Sequence, residues 1–157
     1  MRYGYVRVST KEQNIERQLV VLSMENITTE RIFIDRASGK DFNRVEYRNL
    51  LNVLKSGDEL VIKSIDRLGR NYDEILEQWR ILTKRKNVNI TVLDFPLLNT
   101  KNSRDTITAK LISDLVLQIL SYVSQVEREQ TKQRQMEGIR VARKKGIKFW
   151  KTRATEA

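Results

Sequence analysis

The 157 residues include no histidine, no cysteine, one proline and six glycines. Without imidazole there is no Ser-His acyl hydrolase, and no side chain whose ordinary pKa falls near neutrality. Without cysteine there are no disulfides and no thiolate metal sites. Metals are left with carboxylates and carbonyls, donors that suit Mg²⁺ rather than zinc. Runs of about 18 apolar residues are also missing, as is a signal-peptide pattern, so no membrane span is expected. What is present is 39% apolar and 32% charged, the balance of a single globular domain with a real core. The net charge of +10 is unevenly placed: residues 127–157 hold ten Lys/Arg against four Asp/Glu, while the first 126 residues hold twenty against sixteen. Positive charge gathered at one end is either a solubilising tail or a footprint for a polyanion.

Strand-like and helix-like periods alternate through the first two-thirds of the chain. Arg2–Val8 reads as a strand, ending in Ser9-Thr10-Lys11-Glu12, a capping-box pattern opening a helix that buries Ile15, Leu19 and Leu22. Arg31–Asp35 reads as a second strand, followed by a loop with Ser38 and Gly39. Tyr47, Leu50, Leu51 and Leu54 mark a helix closed by Ser56-Gly57. Glu59–Ser64 is the third strand; Tyr72, Ile75, Leu76, Trp79 and Leu82 mark the next helix; Val88–Leu93 is the fourth strand. The fold class expected is α/β, a mostly parallel sheet flanked by helices on both faces. From Arg104 to Lys145 there is no proline and one glycine, Gly138. A helix of that length runs roughly 60 Å and must project past a compact core. Its first half, with Leu111, Ile112, Leu115, Val116, Ile119, Leu120 and Val123, is apolar nearly all round. One stripe suffices for the sheet; a second calls for a partner, and the same helix of a second subunit is expected. From Glu127 the helix turns polar and basic, resembling an arm laid on DNA. The candidate DNA contacts are Arg134, Arg140, Arg143, Lys144, Lys145 and Lys148.

The chemistry-bearing residues follow predicted strands. Tyr5, Arg7 and Ser9 alternate onto one face of the first strand. Ser9 is either a helix N-cap or a nucleophile. Arg7, in a buried strand, either pairs with an acid such as Asp66 or Asp35 or holds a phosphate. Asp66-Arg67-Leu68-Gly69-Arg70 is either a salt-bridged turn into a helix or a second cationic cluster on the same phosphate. Gln13 and Gln18 read as ordinary surface-helix residues. Since parallel sheets gather ligand groups at the carboxyl ends of their strands, Ser9, the Ser38 loop and the Asp66–Arg70 loop are placed to converge.

Four segments in order, Tyr5-Val6-Arg7-Val8-Ser9-Thr10, Ala37-Ser38-Gly39-Lys40, Asp66-Arg67-Leu68-Gly69-Arg70-Asn71 and Val126-Glu127-Arg128-Glu129, resemble the signatures of the small serine recombinases, the resolvases and DNA invertases. The resemblance spans roughly residues 2–147. Ile62–Asn71 and Leu117–Glu129 look most like the Sin-type resolvases. The resemblance implies that Ser9 attacks the scissile phosphate, giving a 5′-phosphoserine link and a free 3′-hydroxyl. It implies that Arg7, Arg67, Arg70 and Arg44 neutralise the transition state, and that Asp66 orients arginines or helps move protons. Tyr5, Gln13, Gln18, Asp35 and Ser38 would form the surrounding shell, with Glu127 and Arg128 on the long helix.

The resemblance further implies no metal and no cofactor, double-stranded DNA as substrate, a homodimer that becomes a homotetramer at synapsis, an accessory DNA-bending protein as a further partner, and a cytoplasmic location. Either an arginine or a water serves as general base for Ser9. The expected organisation is a catalytic core over 1–103, a dimerisation and DNA-arm helix over 104–147, and a tail over 148–157 in place of the family's helix-turn-helix domain. Two other readings stand beside this one: a non-catalytic DNA-associated oligomerisation module of the same fold, and a metal-dependent nuclease using Asp66 and Asp94.

Overall fold

The computed structural model describes residues 1–9, 15–37, 43–103 and 107–147. Strands β1 (Arg2–Ser9), β2 (Ile32–Ala37), β3 (Glu59–Ile62) and β4 (Asn89–Val92) alternate with helices α1 (Ile15–Met24), α2 (Val45–Val53) and α3 (Tyr72–Arg80). A long helix, α4, spans Ile107–Lys144, 38 residues. The strands form one parallel sheet in the order β2-β1-β3-β4. The chain leaves β1 toward one edge and returns past it to β3, so the strand order reverses between β1 and β3. That reversal is where open α/β sheets form a crevice at their carboxyl ends.

Alternation along the strands produces two cores. On one face Tyr3, Tyr5, Leu60, Ile62, Ile90 and Val92 pack against Tyr47 and Leu50 of α2, Ile75 and Trp79 of α3, and Leu117 of α4. On the other, Val6, Val8 and Val61 pack against Leu22 of α1. Gly4 permits the second contact, because a Cβ there would meet Leu22 Cδ1 at 3.0 Å. Gly57, with φ +88°, turns the chain after α2, its N–H donating to the Asn87 carbonyl at 3.0 Å.

The expected elements all form, with shifted ends. β2 runs two residues beyond Asp35, because its pairing with β1 continues through Ser9↔Ala37. β3 stops at Ile62 because the chain turns into a short 3₁₀ segment, Ile65–Arg67, at the site. The end of α3 widens into a π turn, Ile81–Arg85, which keeps Leu82 buried. In α1, Leu22 is buried while Ile15 and Leu19 are half-buried, and Gln18 corrects the surface reading: it is 3% exposed.

The helix α4 is also turned differently from a simple amphipath. The residues it buries are Ser113, Leu117 and Ser121, at i, i+4, i+8. Ser113 Oγ donates to the Leu97 carbonyl at 3.1 Å. Small side chains let the helix lie close to the core, and among the described residues Leu117 is its deeply buried apolar contact. Leu111, Ile112, Leu115, Ile119, Tyr122 and Val123 are exposed. Among the described residues, no helix is long and apolar enough to cross a membrane.

Candidate active site

The β1/β3 crevice is stitched together by arginines that donate to backbone carbonyls. Arg7 follows Tyr5 on the α2/α3 face, and its Nη2 donates to the Asp66 carbonyl at 2.5 Å and the Gly69 carbonyl at 3.4 Å. Arg67 returns the bond, Nη1 donating to the Arg7 carbonyl at 2.7 Å. Arg44, immediately before α2, donates from Nη1 to the Leu68 carbonyl at 2.6 Å. Carbonyl acceptors satisfy a guanidinium without cancelling its charge. Burial lowers the Arg7 pKa from the usual arginine value, and the neighbouring charge of Arg44 lowers it further.

The acids occupy other posts. Asp35 accepts from the Tyr5 hydroxyl at 2.9 Å and from the backbone N–H groups of Glu46 and Tyr47 at 3.0 and 2.9 Å. It therefore caps α2 from the neighbouring strand and fixes the chain just after Arg44. Burial first, and the Asp35 carboxylate second, raise the Tyr5 pKa well above the ordinary tyrosine value, keeping it a neutral donor. The Tyr5 and Tyr47 rings lie 5.0 Å apart, and the Arg44 guanidinium lies 5.2 Å from the Tyr47 centroid. Asp66 accepts from the Ser64 hydroxyl and lies 3.7 Å from Arg67 Nη2.

Arg7 thus bonds the main chain of Asp66 rather than the carboxylate that was one option for pairing. Tyr5 and Asp35 are bonded to each other and to the start of α2, Arg7, Asp66 and Arg67 are bonded to one another, and Arg44 reaches the same turn at Leu68, two residues before Arg70. The backbone of Ser9 ends β1 one residue beyond Val8. Gln18 is buried on α1, which covers the opposite face of the sheet. Gln13, Ser38 and Lys148 lie outside the described residues. On α4, Glu127 and Arg128 line an open cleft of about 420 Å³ with Asp66, Ser124 and Lys132, so the long helix does border the site. Arg134, Arg140, Arg143, Lys144 and Lys145 are exposed farther along it.

Three contributors carry no sign in the sequence patterns above. Helical periodicity places Tyr47 in the core alone, yet its hydroxyl donates to Gln78 Oε1 at 2.9 Å. Asn71 caps α3, its Oδ1 accepting from the Glu74 N–H, and Glu74 Oε2 accepts from the Arg70 N–H. The Asn71-x-x-Glu74 spacing is the capping signal through which these two could have been found. Among the described residues, no group of three or more His, Cys, Asp or Glu is arranged to hold a metal ion.

Residues 2–148 match the family described as Resolvase, N terminal domain. The chain is 34% identical over 153 residues to the Transposon Tn21 resolvase of Escherichia coli, covering 92% of this chain and 72% of that one. It is 37% identical over 145 residues to the Transposon Tn501 resolvase of Pseudomonas aeruginosa, with the same coverage. Among solved structures, the N-terminal catalytic domain of TP901-1 integrase matches with a TM-score of 0.53 at 21% identity, covering 82% of this chain and 98% of that one. The parallel sheet with its arginine-lined crevice at the switch point is thus the N-terminal domain of a resolvase-type recombinase. The chain belongs to the resolvase family. It is a site-specific DNA recombinase, an enzyme that cuts and rejoins DNA.

Proposed function

We propose that Ser9 is the nucleophile and that Arg7, Arg44, Arg67 and Arg70 bind the scissile phosphate beside it. The observation that carries this reading is the arginine set at the end of β1, which converges on one turn and donates to the carbonyls of Arg7, Asp66 and Leu68. Ser9 Oγ forms a bond to phosphorus as the bond to the 3′-oxygen breaks. The serine proton leaves through a water or an arginine, and a proton is delivered to the departing 3′-oxygen. The arginines stabilise the charge that builds on the phosphoryl oxygens. A 3′-hydroxyl then attacks the phosphoserine and regenerates Ser9, so one ester is exchanged for another with no external energy source. Tyr5 and Asp35 set the crevice wall, Asp66 orients Arg67, and Glu127 and Arg128 bring α4 to its rim.

The exposed face of α4, from Leu111 to Val123, pairs with the same helix of a second subunit, and two dimers form a tetramer at synapsis. Beyond it Arg134, Arg140, Arg143, Lys144 and Lys145 follow the duplex phosphates. Residues 1–103 act as the catalytic core and 104–147 as its dimerising arm, working on DNA in the cytoplasm, with an accessory DNA-bending protein as a further partner. The test fuses a DNA-reading domain of known specificity after the last residue and offers an end-labelled duplex with two matching sites. A denaturant-stable adduct on 5′ ends that maps to Ser9 and vanishes in Ser9→Ala is expected. No adduct, even from variants selected to form tetramers, would leave the non-catalytic oligomerisation module as the better account.

A further inference from the structure

Glu74, in the first turn of α3, touches two of the four arginines assigned to the phosphate. Its Oε2 accepts from the Arg70 backbone N–H at 2.8 Å, and its Oε1 lies 3.5 Å from Arg44 Nη2. The glutamate is itself anchored, since its N–H donates to Asn71 Oδ1 at 2.9 Å. Gly69 makes the close approach feasible: a Cβ there would fall 2.7 Å from the Ile75 nitrogen and 3.0 Å from the Glu74 carbonyl carbon. Three separate pieces of chain therefore meet at one carboxylate: the residue preceding α2, the turn after β3, and the start of α3.

Arg44 is the member of the set most in need of such an anchor. It is 7% exposed, and a guanidinium withdrawn from water is stable only with counter-charge and well-placed acceptors. The Leu68 carbonyl supplies one acceptor, and Glu74 supplies negative charge from the opposite side of the turn. A planar fork held from two groups keeps a fixed direction, which is what recognition of a phosphoryl group requires.

We infer that Glu74 is a positioning residue for strand exchange, its two oxygens holding the Arg44 guanidinium and the Arg70 backbone in one frame. This rests on the assignment of Arg44 and Arg70 to the phosphate. Glu74 itself touches neither the phosphate nor Ser9 in this scheme; it acts through the two arginines. Its two jobs separate in Glu74→Gln, where the amide oxygen still accepts from the Arg70 N–H while the charge facing Arg44 is gone.

The experiment is a double-mutant cycle on the full chain fused to a DNA-reading domain, with the end-labelled duplex bearing two matching sites as probe. It compares the parent, Glu74→Gln, Arg44→Ala and the double variant. Adduct formation in Glu74→Gln is expected to slow on the order of tenfold, the size of coupling between contacting charges. Affinity for the uncut duplex should change less than twofold and the melting temperature little. The same substitution in the Arg44→Ala background should slow the reaction no further. In parallel, arginine-labelled chain without DNA should show slowly rotating Arg44 side-chain NMR signals that broaden or average in Glu74→Gln.

Fully additive effects, a Glu74→Gln rate equal to the parent's, or an Arg44 signal unchanged by the substitution would each overturn the inference. If Arg44→Ala cleaves within twofold of the parent, the phosphate-binding role of Arg44 falls instead. The NMR comparison still decides whether Glu74 fixes Arg44, even if no adduct forms.

Discussion

The sheet-based core and the long helix α4 handle apolar surface in opposite ways. In the core, Tyr5, Leu60, Ile62 and Ile90 are sealed between β-strands and helices of the same chain, and the buried Asp35 accepts three hydrogen bonds. In α4 Leu111, Ile112, Leu115, Ile119, Tyr122 and Val123 are exposed, while the stripe turned inward is Ser113, Leu117 and Ser121, with Val116 and Leu120 packed at its edge. A helix of 38 residues held largely at one end by small residues has most of its length committed elsewhere. Burial on folding defines the core, while the outer face of α4 keeps its apolar surface exposed for the pairing proposed above. The active-site crevice belongs to the first region, and its rim, through Glu127 and Arg128, to the second.

The comparison breaks most severely at Gly69. Gly69→Ala places a methyl group 2.7 Å from the Ile75 nitrogen, so the turn carrying Asp66 to Arg70 must shift. A loss of about 2–3 kcal/mol in denaturant unfolding is expected, together with loss of adduct formation. Leu117→Ala tests the seam between the regions. It should cost about 2–4 kcal/mol, and it should loosen α4 before the sheet in hydrogen exchange; uniform exchange across both would show that they unfold as one unit.

Substitutions in the outer half of α4 sharpen the contrast by leaving stability alone. Replacing Arg140 and Arg143 together with alanine should leave the melting temperature nearly unchanged. The slope of log affinity for duplex DNA against log salt should become shallower by about 0.9 for each phosphate that is no longer neutralised. An unchanged slope would remove these arginines from the DNA interface. The smallest effect runs the other way. Gly138 lies within the exposed part of α4, and a Cβ there would meet nothing within 4 Å. Gly138→Ala should raise helix stability by about 0.5–1 kcal/mol in the free protein, read as a higher melting temperature.

Much of this was legible in the chain. Period-two and period-3.6 patterns located β1 to β4 and α1 to α4, though not the short 3₁₀ turns between them, since burial on one face of an element imposes its repeat directly on the residues. The meeting of Arg7 with the Asp66–Arg70 turn was legible too, because both follow strands of a parallel sheet, whereas Glu127 and Arg128 on α4 were marked only by the resemblance. Gln18 was not, because its burial depends on how α1 is rotated on the sheet, and a glutamine at that position carries no periodic mark. Glu74 is hidden for a related reason: its Asn71-x-x-Glu74 spacing announces a helix start, while its second contact reaches a residue thirty positions earlier.

The sequence by itself determined the α/β alternation, the long basic-ended helix and the absence of imidazole and thiol chemistry, all of which follow from local spacing and composition. Only the tertiary structure decided that Arg7 bonds the main chain of Asp66 and Gly69 rather than the Asp66 carboxylate, that Asp35 caps α2 while holding Tyr5, and that α4 turns its serines inward. Those choices join residues about ten to sixty positions apart. They are settled by strand order and close packing, which fix distances that no local pattern encodes.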